Sequence, residues 1–137
     1  WPMAETFYLK VVASDRQFYE GPCEMITFIG VDGSYGILPH HECMVTPLEA
    51  GELTLKINGV KKEAAVGEGF VEILPNQVTV LTDFCEWADE IDVRRAEEAK
   101  QRAEERLRQK QSIIEYHSSK AALSRAMARL KVTRKMR

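Results

Sequence analysis

The first part of the chain alternates hydrophobic and polar residues in short runs that predict β-strands. In residues 6–12, Phe7, Leu9 and Val11 fall on one side of an extended segment and Lys10 falls on the other. Similar runs occupy residues 24–29, 53–57, 60–66, 69–74 and 77–82. Asn58-Gly59 and Pro75-Asn76 each separate two of these runs, and such two-residue breaks indicate β-hairpins.

Glycine and proline mark further breaks between the predicted strands. We predict turns at residues 20–22, which read Glu-Gly-Pro, and at residues 33–36, which begin and end with glycine. About nine to ten short strands at this spacing are typical of a sandwich of two β-sheets.

After residue 90 the hydrophobic period changes to three and four residues, which predicts two helices. Asp92 is suited to cap a helix that runs to about Lys110, and residues 112–115 form a capping box that starts a second helix. The first helix has a narrow stripe of Ala96, Ala99, Ala103 and Leu107. The predicted face of the second consists of Tyr116, Ser119, Leu123, Met127 and Leu130, with Ala122 and Ala126 beside it. The predicted fold class is therefore mainly β plus α, with an N-terminal β-sandwich followed by a C-terminal antiparallel two-helix hairpin.

The sign of the charge excess and the occurrence of glycine and proline both change at the same place in the chain, near residue 90. Residues 1–90 carry 5 Lys/Arg and 15 Asp/Glu, whereas residues 91–137 carry 14 and 6. All 8 glycines and all 5 prolines precede residue 91. We therefore predict a sandwich domain at residues 3–88 and a helical hairpin at residues 89–137. A hairpin of this length buries little surface alone, so we expect it to be the mobile part.

Several kinds of site are excluded by the sequence. No apolar run approaches the roughly 20 residues that cross a bilayer. The three cysteines are scattered and are predicted to be reduced core residues. Residues 67–69, Gly-Glu-Gly, lack the Lys-Ser/Thr of a phosphate-binding loop. His40 and His41 are adjacent and would point to opposite faces of a strand, which disfavours a shared role. We predict no catalytic residues and no metal site.

The arginines of the hairpin are more informative. Arg95 and Arg102 share a face of the first helix, and Arg125 and Arg129 share a face of the second. Few carboxylates lie on these faces, and forked guanidinium donors suit phosphate oxygens. One hypothesis is a polyphosphate site between the helices, and the other is a basic face that binds an acidic protein or nucleic acid. Tyr116 is the only aromatic residue after residue 90, so a stacking platform for bases is missing.

Motifs along the chain resemble the epsilon subunit of bacterial F-type ATP synthase. They lie at residues 36–41, 47–48, 69–81, 91–96 and 125–130 and follow one another in the expected order from Met3 onward. The resemblance implies a noncatalytic rotor subunit of the central stalk, which helps to couple proton flow to rotation.

The resemblance also implies partners and a location. The sandwich would bind the gamma subunit and the c-subunit ring, and the extended hairpin would reach the alpha/beta catalytic hexamer and block ATP hydrolysis. The protein would lie at the cytoplasmic face of the bacterial cell membrane as a peripheral subunit, without membrane insertion and without nucleic acid. Candidate residues for the subunit interface are Gly36, Ile37, Leu38, Pro39, His40 and His41.

An Ile-Asp-x-x-Arg-Ala motif at residues 91–96 resembles that of the Bacillus-type branch, which implies that the compact hairpin binds ATP. By this resemblance, the adenine end of the site consists of Glu86, Ile91, Asp92 and Ala96. The residues toward the phosphates are Arg95, Arg102, Arg125 and Arg129. ATP would be a regulatory ligand that is not hydrolysed, with the magnesium requirement left open. Two alternatives are a stand-alone ATP-binding module and a basic hairpin that binds nucleic acid or an acidic protein.

Overall fold

The computed structural model describes residues 5–40 and 42–134, which form two β-sheets and two helices. The strands are β1 (Phe7–Ala13), β2 (Gln17–Cys23), β3 (Met25–Gly30), β4 (Gly33–Ile37), β5 (Met44–Leu48), β6 (Gly51–Ile57), β7 (Val60–Val66), β8 (Gly69–Leu74), β9 (Gln77–Thr82) and β10 (Cys85–Trp87). A 3₁₀ turn (Ala88–Glu90) leads to the helices α1 (Val93–Arg108) and α2 (Ile113–Arg134). The predicted fold class, a β-sandwich followed by a helical hairpin, is confirmed.

Each sheet has five strands, in the orders β2-β1-β9-β8-β5 and β10-β7-β6-β3-β4. All strand pairs are antiparallel except β1 with β9, which run parallel. The core lies between the sheets, where Leu9, Phe28, Leu55 and Val80 are fully buried or nearly so. The inward positions alternate with outward ones along each strand, as expected for facing sheets.

Two predicted turns are wrong because they lie inside strands. Gly21 and Pro22 belong to β2, where Pro22 pairs with Tyr8. Residues 33–36 belong to β4, and the turn before it consists of Val31 and Asp32. Both strands lie at sheet edges. An edge strand tolerates proline and glycine because one side of its backbone needs no ladder partner.

The predicted hairpin turn at Asn58-Gly59 is confirmed. Asn58 has a φ of 52° and Gly59 a φ of 76°, and Ile57 pairs with Val60 across the turn. Two successive residues with positive φ are the feature of a type I′ turn, whose twist matches that of the flanking strands.

Replacing Gly59 with alanine is expected to lower the free energy of unfolding by about 1–2 kcal/mol, because L-residues are disfavoured at positive φ. A Cβ at this position would meet nothing within 4 Å, so the backbone alone causes the loss. Chemical denaturation followed by circular dichroism measures it. Gly36→Ala is the matched control, since its Cβ would meet only Thr27 Cγ2, at an ordinary 3.7 Å. An equal loss in both variants would contradict the assignment of the cost to φ.

The two predicted helix starts are confirmed. The Asp92 carboxylate accepts a hydrogen bond from the backbone N–H of Arg95 at 3.2 Å. Ser112 Oγ accepts one from the backbone N–H of Glu115, also at 3.2 Å. These caps satisfy backbone donors that have no partner inside the helix. Within residues 5–40 and 42–134, no helix is long and apolar enough to span a membrane.

The predicted face of α2 is partly wrong. Tyr116 and Met127 are exposed, whereas Ala128 and Val132, which were not assigned to the face, are buried. The helix has two buried sides, because it packs against α1 and also against β6 and β7 of the sandwich. Ala128 and Val132 form a cluster on the sandwich side that is separate from the core between the sheets. The prediction assumed that α2 has a single buried face, whereas a helix with two buried sides has hydrophobic residues on both of them.

The cysteine prediction holds for two of the three residues. Cys23 and Cys85 are buried and reduced, whereas Cys43 is reduced but exposed. Burial raises the pKa of the Cys85 thiol, which keeps it protonated and unreactive.

Candidate functional site

A cavity of about 530 Å³ lies where α1, α2 and the segment that joins them to the sandwich meet. Its size falls in the range of small-molecule binding sites. Seven of the eight residues that the resemblance assigns to an ATP site line this cavity, namely Glu86, Ile91, Asp92, Arg95, Ala96, Arg102 and Arg129. Arg125, the remaining residue of that set, does not line it. Glu90, Glu98 and Ala99 also line the cavity and were not assigned from the sequence.

Helical spacing places most of these side chains on one face of α1. The Asp92 cap fixes the start of the helix, and Arg95, Ala99 and Arg102 follow at intervals of three and four residues. Ala96 is buried, and its small side chain leaves room above the helix. This face therefore combines two guanidinium groups with a small apolar surface.

Arg129 reaches the cavity from α2 and is held there by the sandwich. Its Nε donates to both carboxylate oxygens of Glu86, at 2.5 and 3.3 Å. Its guanidinium carbon also lies 4.6 Å from the centroid of the Phe84 ring, a favourable cation–π arrangement. Both members of the ion pair are about 30% exposed, at 28% for Arg129 and 29% for Glu86. The predicted adenine-end residue Glu86 and phosphate-end residue Arg129 are therefore in direct contact.

Arg125 lies one turn before Arg129 on α2 but points to a different partner. Its Nη1 lies 3.8 Å from Asp83 Oδ2, with 36% and 48% of the two side chains exposed. This contact is at the limit of an ion pair and is open to water, so it is weak. The expected scarcity of carboxylates near the arginines is not found, because Glu98 of α1 lines the cavity with Arg95 and Arg102. The sandwich side adds Asp83 and Glu86.

A third ion pair fixes the segment that leads into α1. Arg16, between β1 and β2, lies 3.2 Å from Glu90 Oε1 and donates to the backbone oxygen of Cys85 at 3.0 Å. Glu90 also accepts from the backbone N–H of Trp87 at 3.0 Å. The hydrogen bond from Arg16 holds the pKa of the Glu90 carboxyl below its ordinary value. Sequence reasoning missed Arg16 because no local signal links it to a residue 74 positions away.

The predicted interface residues at 36–41 occupy the end of β4 and the following loop. Ile37 is buried in the core, whereas Leu38 is exposed. His40 has a φ of 65°, and its Nε2 lies 3.3 Å from Glu5 Oε2. His41 lies outside the described residues. In the part of the chain that the structure describes, no group of three or more His, Cys, Asp or Glu is arranged to hold a metal ion.

The sandwich and the helical part of this chain match two adjoining family models. Residues 6–88 match the beta-sandwich domain of the ATP synthase delta/epsilon chain, and residues 89–134 match its long alpha-helix domain. The chain therefore belongs to the ATP synthase delta/epsilon chain family, and it is a noncatalytic subunit rather than an enzyme in its own right.

Curated relatives and solved structures agree with this assignment. The ATP synthase epsilon chain of Ruminiclostridium cellulolyticum is 47% identical over 132 residues, which cover 96% of this chain and 98% of that one. That of Caldanaerobacter subterraneus subsp. tengcongensis is 46% identical and covers 97% of each chain. A chain in the cryo-EM structure of the Euglena gracilis mitochondrial ATP synthase has the same fold, with a TM-score of 0.76, 22% identity and coverage of 90% of this chain and 78% of that one. The resemblance to bacterial epsilon subunits is confirmed.

Proposed function

We propose that this chain is a rotor subunit of the central stalk, which couples the catalytic head of a bacterial ATP synthase to its membrane part. The observation that carries this proposal is the match of both parts of the chain to one family, in order, over residues 6–134. A chain in the cryo-EM structure of the Tetrahymena thermophila mitochondrial ATP synthase, central stalk/c-ring, has the same fold, with a TM-score of 0.66, 14% identity and coverage of 96% of this chain and 99% of that one. The protein is then peripheral and lies at the cytoplasmic face of the membrane.

The sandwich offers surfaces for the gamma subunit and the c-subunit ring. Phe70 on β8 and Leu81 on β9 are paired neighbours, and they are 57% and 50% exposed. Val12 follows in the same row on β1. Large apolar side chains that adjoin on an open sheet face favour a protein partner. The exposed Leu38 and His40 give a second, separate contact surface in the loop after β4.

The hairpin regulates ATP hydrolysis, and ATP stabilises its compact state. Three parts of the chain line the cavity, namely α1, α2 and the segment before α1, so the complete cavity exists only while the hairpin is folded on the sandwich. A ligand that binds only this state shifts the population toward it. ATP thereby keeps the hairpin away from the catalytic alpha/beta hexamer.

The residues that line the cavity offer groups for both the phosphates and the nucleoside of ATP. Arg95, Arg102 and Arg129 supply the donors that phosphate oxygens need. Ile91 and Ala96 supply apolar surface, and the carboxylates of Glu86 and Asp92 accept hydrogen bonds, as the amino and hydroxyl groups of adenosine require. ATP acts as a regulatory ligand and is not hydrolysed.

Isothermal titration of the chain with ATP tests this function. Saturable binding at one site is expected, and ATP at 100 times its dissociation constant should stabilise the compact chain by about 2.7 kcal/mol. Tripolyphosphate is the control, because it has the three phosphate groups of ATP without the nucleoside, and it should bind more weakly despite its higher negative charge. Equal binding of the two would indicate general attraction to a basic face. An absence of binding at millimolar ATP would contradict the proposal that ATP is a regulatory ligand of this chain.

The rotor role has its own test. Membranes depleted of their epsilon subunit should regain proton-coupled ATP synthesis when this chain is added together with the gamma subunit. Failure of the chain to associate with gamma would contradict the rotor role, whatever the result with ATP.

A further inference from the structure

The short segment between β9 and β10 faces α2 and meets the arginine that lies outside the cavity. Asp83 Oδ2 is 3.8 Å from Arg125 Nη1. One helical turn further along, Arg129 lines the cavity and is bound by Glu86. Two carboxylates of the sandwich thus face two arginines of α2, but only the pair of Glu86 and Arg129 lines the cavity.

Asp83 is held firmly in this position by its surroundings. Its backbone N–H donates to the oxygen of Glu68 at 3.1 Å, and the N–H of Gly67 donates to the oxygen of Phe84 at 3.1 Å. The buried hydroxyl of Thr82 lies 3.0 Å from the oxygen of Gly67. A Cβ at residue 67 would lie 1.6 Å from Asp83 Oδ1, so only glycine permits this approach. Residues 67–69, which do not form a phosphate loop, therefore serve as the support of Asp83.

The two pairs differ in how readily a ligand can displace them. The contact of Arg129 with Glu86 is short and involves both carboxylate oxygens. The contact of Arg125 with Asp83 is 3.8 Å long and more exposed. Because Arg125 and Arg129 lie four residues apart on one helix face, a change of side-chain rotamer brings the Arg125 guanidinium toward the cavity. A phosphate group in the cavity and the Asp83 carboxylate then compete for the same cation.

We propose that Asp83 is a positioning residue that holds Arg125 outside the nucleotide cavity and thereby lowers the affinity of the site for ATP. This inference rests on the proposed binding of ATP to the compact hairpin. Arg129 remains a permanent part of the site, whereas Arg125 joins it only when a phosphate replaces Asp83. The carboxylate thus tunes the ATP concentration at which the hairpin is released.

The test compares ATP binding to the whole chain and to Asp83→Asn, which keeps the shape and backbone contacts of residue 83 but removes the charge. Asp83→Asn should bind ATP about two- to fivefold more tightly, which is the range that exposed ion pairs support. The gain should be larger for ATP than for AMP, because AMP has fewer phosphate oxygens to attract Arg125. Asp89→Asn is the matched control, since it removes an exposed carboxylate nearby that does not line the cavity.

A double-mutant cycle separates positioning from a general effect of charge. In an Arg125→Ala background, Asp83→Asn should leave the ATP affinity unchanged, because the cation that it releases is absent. Unchanged or weaker ATP binding by Asp83→Asn in the otherwise unaltered chain overturns the proposal, as does a gain that persists without Arg125. If the unaltered chain binds no ATP, the proposed function itself fails and this inference fails with it. Melting temperatures of all variants, measured without ligand, show that the compared chains are folded.

Discussion

Replacing Arg129 with alanine is expected to weaken ATP binding by about 10- to 100-fold, since a hydrogen bond to a charged group contributes about 1.5–3 kcal/mol. Arg129 is the cavity-lining cation that α2 contributes among the described residues. Its removal also leaves Glu86 without the partner that now holds it at 2.5 Å. The freed carboxylate would add repulsion against the phosphates. Isothermal titration with ATP measures the loss directly.

The control for this change is Arg134→Ala. Arg134 is an exposed arginine on the same helix, so Arg134→Ala has the same net charge as Arg129→Ala but leaves the cavity lining intact. Its ATP affinity should stay within about twofold of that of the unaltered chain, because an exposed charge acts weakly over distance. If both variants lost affinity equally, ATP would be bound by the overall charge of the hairpin and not by the site.

Replacing Ala128 with leucine is expected to detach the hairpin from the sandwich. Ala128 is 3% exposed and packs with Ala65, Ala88 and Val132 where α2 meets the sandwich. Extra methylene groups in a closely packed interface cost about 1–3 kcal/mol, which shifts the docked population by about 5- to 150-fold. Hydrogen exchange should then show faster exchange of the α2 amides. The sandwich amides should keep their protection, because the main core lies between the two sheets.

Ala121→Leu provides the comparison for this variant. Ala121 is an exposed alanine of the same helix, so the identical substitution there adds no volume to the interface. Its α2 amides should exchange at the rate of the unaltered chain. Unchanged exchange in Ala128→Leu, or loss of protection in the sandwich as well, would show that hairpin and sandwich do not separate as two units.

Much of the fold was predictable because its signals are local. The turn at Asn58-Gly59 depends on the backbone preferences of two neighbouring residues, and the helix start at Asp92 depends on a contact three residues away. The four strands that were not assigned from the sequence, β2, β4, β5 and β10, all lie at sheet edges. Parts of β2 and β4 were assigned as turns because of their proline and glycine, which an edge strand tolerates. The sequence does not show which strands have an open edge.

The sequence by itself therefore determined the sandwich, the hairpin and the face of α1 that carries Arg95 and Arg102, since each follows from spacing within a few residues. Only the tertiary structure decided how the charges pair. Glu86 meets Arg129 across 43 positions, and Arg16 meets Glu90 across 74. The physical reason is that electrostatic energy depends on distance in space, which the packing of α2 on the sandwich sets and the sequence separation does not.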